Sequence, residues 1–390
     1  MTIESWLRFA EAQRDQFLDD LRTLVNIDSG SYTPAGVARV ADELQARFEA
    51  TGGSVERVTD TGEFGPHLIA RWRGQGAGKT LLIGHMDTVF PDGEAQRRPF
   101  HLESGRAYGP GVMDMKSGLL TGLYALRALA AEAPWGEVIF FCNSDEEIGS
   151  PSSHPIVARL AREVDAALVL EPNSRVDKAT IARKGVATFR IEVEGLSAHA
   201  GVEPDKGRNA ILELAHRVIA VHALNGTIPG VTLNAGVIHG GERPNVVPDA
   251  AYTLVDVRVA DSAGREAVES ALQALVAAPA TIEGTTTRLS GSFVHQPFTQ
   301  SDASKRLFDL ASGVASELGY TLQGGPTGGG SDGNTTAATG TPTLDGLGPA
   351  GGKAHNPGEY IEIDSIAPRV ALLAGLLASL NSNSAQLRGK

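Results

Sequence analysis

The chain contains one cysteine, Cys142, so it can form no internal disulfide and no Cys-rich zinc finger. Cys142 lies in the apolar run EVIFFCN and reads as a small buried hydrophobe. Aromatic residues make up only 5%, which argues against a base-stacking nucleic-acid binder. There is no basic excess either. Thirty-four Lys and Arg against 46 Asp and Glu leave a net charge of −12, and an acidic chain repels phosphate backbones. Nucleic acid is therefore not an expected partner. No window offers ~20 consecutive apolar residues, so no membrane span is expected. The opening stretch MTIESWLRFAEAQRDQF spreads its charges and lacks the apolar core of a secretory leader, so the expected location is cytoplasmic.

What is present suits a large globular protein. The 390 residues are 42% hydrophobic and 21% charged, enough for a sizeable core and against global disorder. The length suggests two or three domains. Gly 46 and Pro 20 imply many turns.

Apolar residues recur at helical spacing from Trp6 to Ile27 and again from Ala35 to Ala50, the second run ending at Gly52-Gly53. Strands are expected at Ser54–Val58, His67–Trp72, Thr80–Gly84, Glu137–Asn143 and Ala166–Leu170. Helices are expected between them, at Lys116–Glu132 and His154–Arg162. This alternation predicts a largely parallel sheet covered on both faces. The pattern changes after Lys178. Strands at Ala187–Glu194, Val231–Ile238, Ala251–Val259 and Thr281–Leu289 surround helices at Asn209–Leu224 and Gly264–Val276. That β-α-β-β-α-β order is ferredoxin-like and reads as a separate insert. Helices at Ser301–Leu318 and Asp364–Leu380 then resume the first pattern, on either side of the Gly-rich loop GGPTGGGSDGN.

Three of the buried-type strands end in polar residues. LLIGHMD ends in His85 and Asp87, EVIFFCNSDEE in Glu146 and Glu147, and AALVLEP in Glu171. Open α/β sheets bind ligands beyond the carboxyl ends of their strands, so these clusters should converge. His85 and Asp87 are two apart on an extended segment and face the same way. His85 suits a metal ligand, with Asp87 as its orienter or a strand-end cap. Asp114, in GPGVMDMKSG, has the simpler reading of a helix N-cap. Glu146 and Glu147 follow a buried strand so closely that they need a cation or raised pKa values; one suits a metal, the other a base. Glu171 and His355 are weak signals alone. Together these residues offer two histidines and three or four carboxylates, a suitable set for two zinc ions.

The strings GHMDTVFP, GPGVMDMKSG, NSDEEIGS, LEPN, GLSAHAG, RPNVVPDA, GGGSDG and AHNPGEYI occur in that order. In them the chain resembles, from about Phe17 to Leu380, a family of dinuclear zinc amidohydrolases. That family includes glutamate carboxypeptidase, aminoacylase, acetylornithine deacetylase, succinyl-diaminopimelate desuccinylase and dipeptidases. The resemblance is nearest to glutamate carboxypeptidase, notably in GVIHGGERPNVVPDA and GGGSDG. It implies an α/β catalytic domain with a mostly parallel sheet, over 1–180 and 293–390, and an inserted α+β dimerisation or lid domain over 181–292. It also implies two Zn2+ per chain, with Co2+ or Mn2+ as substitutes.

Residue by residue, the resemblance makes Asp114 the bridge between two zincs, with a cis bond to Met115. His85 and Glu171 complete one site, and Glu147 and His355 the other. Glu146 becomes the general base that takes a proton from water and returns it to the leaving amine. Asp87 stands behind His85. His199 reaches the neighbouring subunit's site in a homodimer and stabilises the oxyanion there. Asn245, Arg258, Gly330 and Ser331 fall near the substrate's carboxylate, and Lys178 near a substrate-contacting position. The plainer readings are a surface salt bridge for Arg258 and a turn between Pro244 and Pro248 for Asn245.

One departure stands out. Where glutamate carboxypeptidase has an arginine before Pro-x-Phe, this chain reads Val294-His295-Gln296-Pro297-Phe298. The expected activity is amide hydrolysis releasing a C-terminal amino acid, and the alternative is removal of an N-acyl group or dipeptide cleavage. A metal-stabilised binding module without turnover is disfavoured because Glu146 accompanies the full ligand set.

Overall fold

The computed structural model describes residues 2–130 and 135–387. The chain divides into two compact units. One comprises Met1–Ala182, Gln300–Thr327 and Ser331–Lys390; the other comprises Arg183–Thr299 with Gly328–Gly330. The first unit opens with α1 (Ile3–Ala12), α2 (Arg14–Val25), α3 (Pro34–Ala50), β1 (Ser54–Val58), β2 (His67–Arg73) and β3 (Lys79–His85). It continues with α4 (Ser117–Ala130), β4 (Glu137–Asn143), α5 (His154–Arg162) and β5 (Ala166–Val169). The second unit holds β6 (Gly185–Glu194), α6 (Ala210–Ala223), β7 (Val231–Gly240), β8 (Ala250–Val259), α7 (Ser262–Ala277) and β9 (Thr286–His295). The chain then returns to the first unit with α8 (Asp302–Glu317), α9 (Asp332–Ala338), β10 (Thr343–Leu344) and α10 (Ile366–Leu387).

The first unit's main sheet has the order β1-β2-β4-β3-β5-β10. The pairs β4–β3, β3–β5 and β5–β10 are parallel, whereas β1–β2 and β2–β4 pair antiparallel. Successive side chains of these strands enter opposite cores, as the strand period of two requires. Leu82, Phe140 and Leu168 pack with Leu119, Leu123 and Leu126 of α4. Leu81, Ile83, Ile139, Phe141 and Val169 pack with Val157 and Leu160 of α5 on the other side. Each fully buried side chain of this size contributes ~1.5–3 kcal/mol. The approach of α4 to the sheet needs Gly122, where a Cβ would stand 2.5 Å from the Phe140 ring. Cys142 is buried in the same core, and burial pushes its thiol well above the ordinary range.

The apolar stripe from Trp6 to Ile27 forms two helices rather than one. The break at Gln13 lets α1 pack on α10 while α2 turns onto α4. Helix α4 is described to Ala130; the expected end at Glu132 lies outside the described residues. The segment Ile363–Asn381 is long and apolar enough to cross a membrane, but 67% of it is buried within the protein. It is a core helix packed against α1, α4 and α8, and its average hydropathy is high despite the buried Arg369.

The second unit's sheet is antiparallel throughout, in the order β7-β8-β6-β9. Phe189, Ile191, Val255 and Val257 face one side, where they pack with Leu214 and Val221 of α6 and Val268 and Leu272 of α7. The strand expected at Thr281–Leu289 lies later, over Thr286–His295. It pairs along β6 from Glu194 back to Val186, and this pairing fixes its position. Upstream, Ile282 donates its backbone N–H to the buried Glu213, which holds that segment off the sheet.

Candidate metal centre

Strands β4, β3 and β5 lie side by side and parallel, so their carboxyl ends open on one edge of the first unit's sheet. Register places His85 level with Asn143, and Ile83 level with Val169. The residues just beyond those levels therefore meet, as strand ends in an open α/β sheet do.

His85 is buried at the end of β3. Its Nδ1 lies 3.0 Å from the backbone oxygen of Asp87, so it donates there and leaves Nε2 free to face the cluster. Nε2 lies 3.1 Å from Asp114 Oδ1 and 3.7 Å from Glu171 Oε1. The other oxygen of Asp114, Oδ2, lies 3.2 Å from His355 Nε2, which is also 3.1 Å from Glu147 Oε2. Asp114 thus stands between two histidines, each with a further carboxylate. It does not cap a regular helix; it sits inside the turn Val112–Lys116, and its bond to Met115 is cis.

Charge and burial are at odds here. Burial raises the Glu146 carboxyl well above its ordinary value, against the pull of His85, and the charges of Glu171, Asp332 and Glu147 add to the rise. Glu147 is raised too, chiefly by burial. Burial would also raise Asp114, but His355 and His85 outweigh it and hold the carboxyl below the usual range. His355 is pushed up to about 10 by Asp114 and Glu147. Burial opposes a charge on His85, yet Asp114 and Asp87 raise its pKa well above the ordinary value.

The donor set fits divalent metal. One atom each from His85, Asp114 and Glu147 lie within 4.8 Å of one another, as do atoms from His85, Glu146 and Glu171. The buried Oε1 of Glu147 has no hydrogen-bond partner. Among the described residues, no Lys or Arg ion pair reaches Asp114, Glu146 or Glu147. Imidazole and carboxylate donors of this kind suit zinc and neighbouring metals.

Asp87 does more than stand behind His85. Its carboxylate accepts the Ser31 hydroxyl at 2.7 Å and the backbone N–H groups of Glu146 and Glu147, each at 3.2 Å. It therefore holds the turn that carries both glutamates. Asp145 secures the same turn from below by accepting from the backbone and hydroxyl groups of Ser152 and Ser153. Glu359 accepts three backbone N–H groups around Asp114. Sequence reasoning missed the roles of Ser31, Asp145 and Glu359. Only Glu359 carried a signal, as a carboxylate four residues after His355.

The other expected site residues fall as follows. Lys178 begins a short strand, and its backbone oxygen accepts from Arg369 at 2.5 Å. Ser331 is buried and caps α9: its hydroxyl donates to Asp345 at 2.7 Å and accepts from Gly333 N at 2.9 Å. The hydroxyl proton is therefore committed to Asp345 within the fold. Gly330 lies in the second unit, where a Cβ would meet His295 at 2.7 Å and where Arg183 donates to its carbonyl at 3.3 Å. His199 and Asn245 are also in the second unit. Their segments meet in a two-stranded ladder, Ala198–His199 against Val246–Val247, and Asn245 O accepts from Ala200 N at 3.0 Å. Arg258 pairs with Asp256 through Nε and Nη2, at 2.9–3.2 Å.

Comparison with known proteins agrees with this chemistry. Residues 81–379 match the model of Peptidase family M20/M25/M40. Carboxypeptidase G2 of Pseudomonas sp. (strain RS-16) is 29% identical over 383 residues, 96% of this chain and 91% of that protein. Acetylornithine deacetylase of Myxococcus xanthus is 30% identical over 273 residues, 65% of this chain and 70% of the other. The crystal structure of an aminopeptidase from Bacillus cereus shares the fold, with a TM-score of 0.80 at 24% identity, covering 94% of this chain and 98% of that one. The chain belongs to Peptidase family M20/M25/M40, a family of metal-dependent peptidases and amidohydrolases, and is a hydrolytic metallo-exopeptidase.

Proposed function

We propose that this enzyme hydrolyses the amide bond that joins a C-terminal amino acid to an acyl or peptidyl group, using two zinc ions and Glu146 as general base. The observation that carries the reading is the placement of Asp114 between His85 and His355. In this reading His85, Asp114 and Glu171 hold one ion, and Asp114, Glu147 and His355 the other. Bound by these residues, the ions would supply Lewis-acid chemistry, lowering the pKa of a water and polarising the substrate's carbonyl. Glu146 takes the proton and later delivers it to the leaving amine.

His199 is the proposed oxyanion donor. Its Nδ1 accepts the backbone N–H groups of Gly201 at 3.1 Å and Val202 at 3.2 Å. That leaves Nε2 of the exposed ring as the donor. Arg258 and Asn245 are the proposed contacts to the substrate's carboxylate, with Arg258 exchanging Asp256 for the substrate. The backbone of Gly330 and Ser331 and the Lys178 side chain complete the proposed substrate contacts. A homodimer is supported by the second unit's surface. Ile211, Leu212 and Ile219 of α6 and Ile238 of the end strand β7 are exposed. An apolar patch beside an open strand edge suits pairing with a second copy.

N-acyl-amino-acid deacylation is the second reading. The acetylornithine deacetylase relative favours it, as does the presence of His295 and Gln296, rather than an arginine, just before Pro297. A panel of dipeptides and N-acyl-amino acids separates the two. Glu146→Gln tests the common mechanism. It should keep both metals and lose turnover by at least ~10²–10⁴-fold, the usual worth of a general base. Loss of metal instead would make Glu146 a ligand and overturn its assignment.

A further inference from the structure

Asp114 can serve two metals only if its carboxylate is held in one place. Its own segment offers little help, since residues 112–116 form a single irregular turn with non-helical backbone at Asp114 and Met115. The restraint comes from 245 residues further along the chain. Glu359 is fully buried, and Oε1 accepts the N–H of Met113 at 2.7 Å and of Asp114 at 2.9 Å. Oε2 accepts the N–H of Gly111 at 3.0 Å. Three amide hydrogen bonds converging on one carboxyl group fix the peptide planes on both sides of Met113.

The same loop carries His355. Lys353, Asn356, Gly358 and Glu359 are tied together locally: Asn356 N donates to Lys353 O at 3.0 Å, and Glu359 N to Asn356 O at 2.9 Å. The loop therefore meets Asp114 twice, through the His355 ring at its carboxylate and through Glu359 at its backbone.

We propose that Glu359 is a positioning residue that fixes Asp114 relative to His355 and so sets the affinity of the metal centre. It touches no substrate and holds no metal; it acts through the backbone of Asp114. This inference rests on the dinuclear reading above. A partner behind a metal ligand typically accounts for ~10–100-fold in metal affinity.

The test uses full-length protein stripped of metal and titrated with Zn2+ against a chromophoric chelator, well below the melting temperature. Glu359→Ala should bind zinc ~10–100-fold more weakly than wild type. Glu359→Gln should lose less, because its carbonyl still accepts two of the N–H groups while its NH2 opposes Gly111. The Co2+-loaded variants should show an altered visible absorption spectrum. A residue that merely stabilises the fold would lower the melting temperature but leave affinity and spectrum unchanged. If Glu359→Ala does not fold, Glu359→Gln makes the same comparison. Folded variants with wild-type zinc affinity and Co2+ spectrum would overturn the proposal. Wild-type protein that binds no metal would instead overturn the dinuclear reading itself.

Discussion

Asp114 turns one carboxylate oxygen to His85 and the other to His355, at 3.1 and 3.2 Å. This division makes Asp114 the group the two histidines share, and it separates the effect of removing Asp114 from that of removing one histidine. Asp114→Asn leaves one oxygen and no charge, so both metals should be lost. The fall in affinity should exceed the ~10–100-fold typical of a supporting residue. His355→Ala should remove one metal and leave the other with His85 and Glu171. Metal analysis of the desalted variants checks both. Equal stoichiometry in the two would contradict a bridging Asp114.

The paired histidine predicts a proton count. His355 is pushed up to about 10 in the metal-free chain, above its ordinary ~6.5. At pH 7.5 it therefore carries a proton that a metal must displace. Zinc affinity should rise with pH through the neutral range and level off above about 10. The stability that this pairing gives the metal-free chain has the same origin. It is fully present below the unfolded value of ~6.5 and is lost as pH rises through about 10. Calorimetry in two buffers of different ionisation enthalpy should show at least one proton released per chain at pH 7.5. Zero release would contradict the assignment of His355.

Much of this centre was legible before the structure, for one physical reason. Strands β3, β4 and β5 announce themselves as apolar runs, and parallel pairing brings their ends together whatever the loops do. His85, Glu146, Glu147 and Glu171 follow from that alone. Asp114 and His355 did not; each lies in an irregular turn, and the family resemblance supplied them. Long-range hydrogen bonds left even less trace. Nothing in the string HNPGEY says that Glu359 will accept from Met113, 246 residues away. Nor does the sequence show that Asp87 will take the amides of Glu146 and Glu147. The break at Gln13 was hidden because the apolar spacing continues across it.

The second unit predicts sharing between subunits. If His199 serves the partner's site, His199→Ala and Glu146→Gln should each be nearly inactive, yet complement each other. In a mixed dimer the His199→Ala chain keeps its own Glu146 and borrows an intact His199. Random pairing makes half of the dimers mixed, with one complete site each, so co-refolding should restore about a quarter of wild-type activity. No recovery, with subunit exchange proven, would mean that His199 does not act across the interface.

The central claim is that carboxylates and two histidines gathered beyond the carboxyl ends of the parallel strands β3, β4 and β5 hold two metal ions on which turnover depends. Elemental analysis of desalted protein, paired with activity before and after metal removal, tests it most directly. The account predicts close to two equivalents per chain, loss of turnover on stripping, and its return with zinc or cobalt. A fully active metal-free preparation would contradict it.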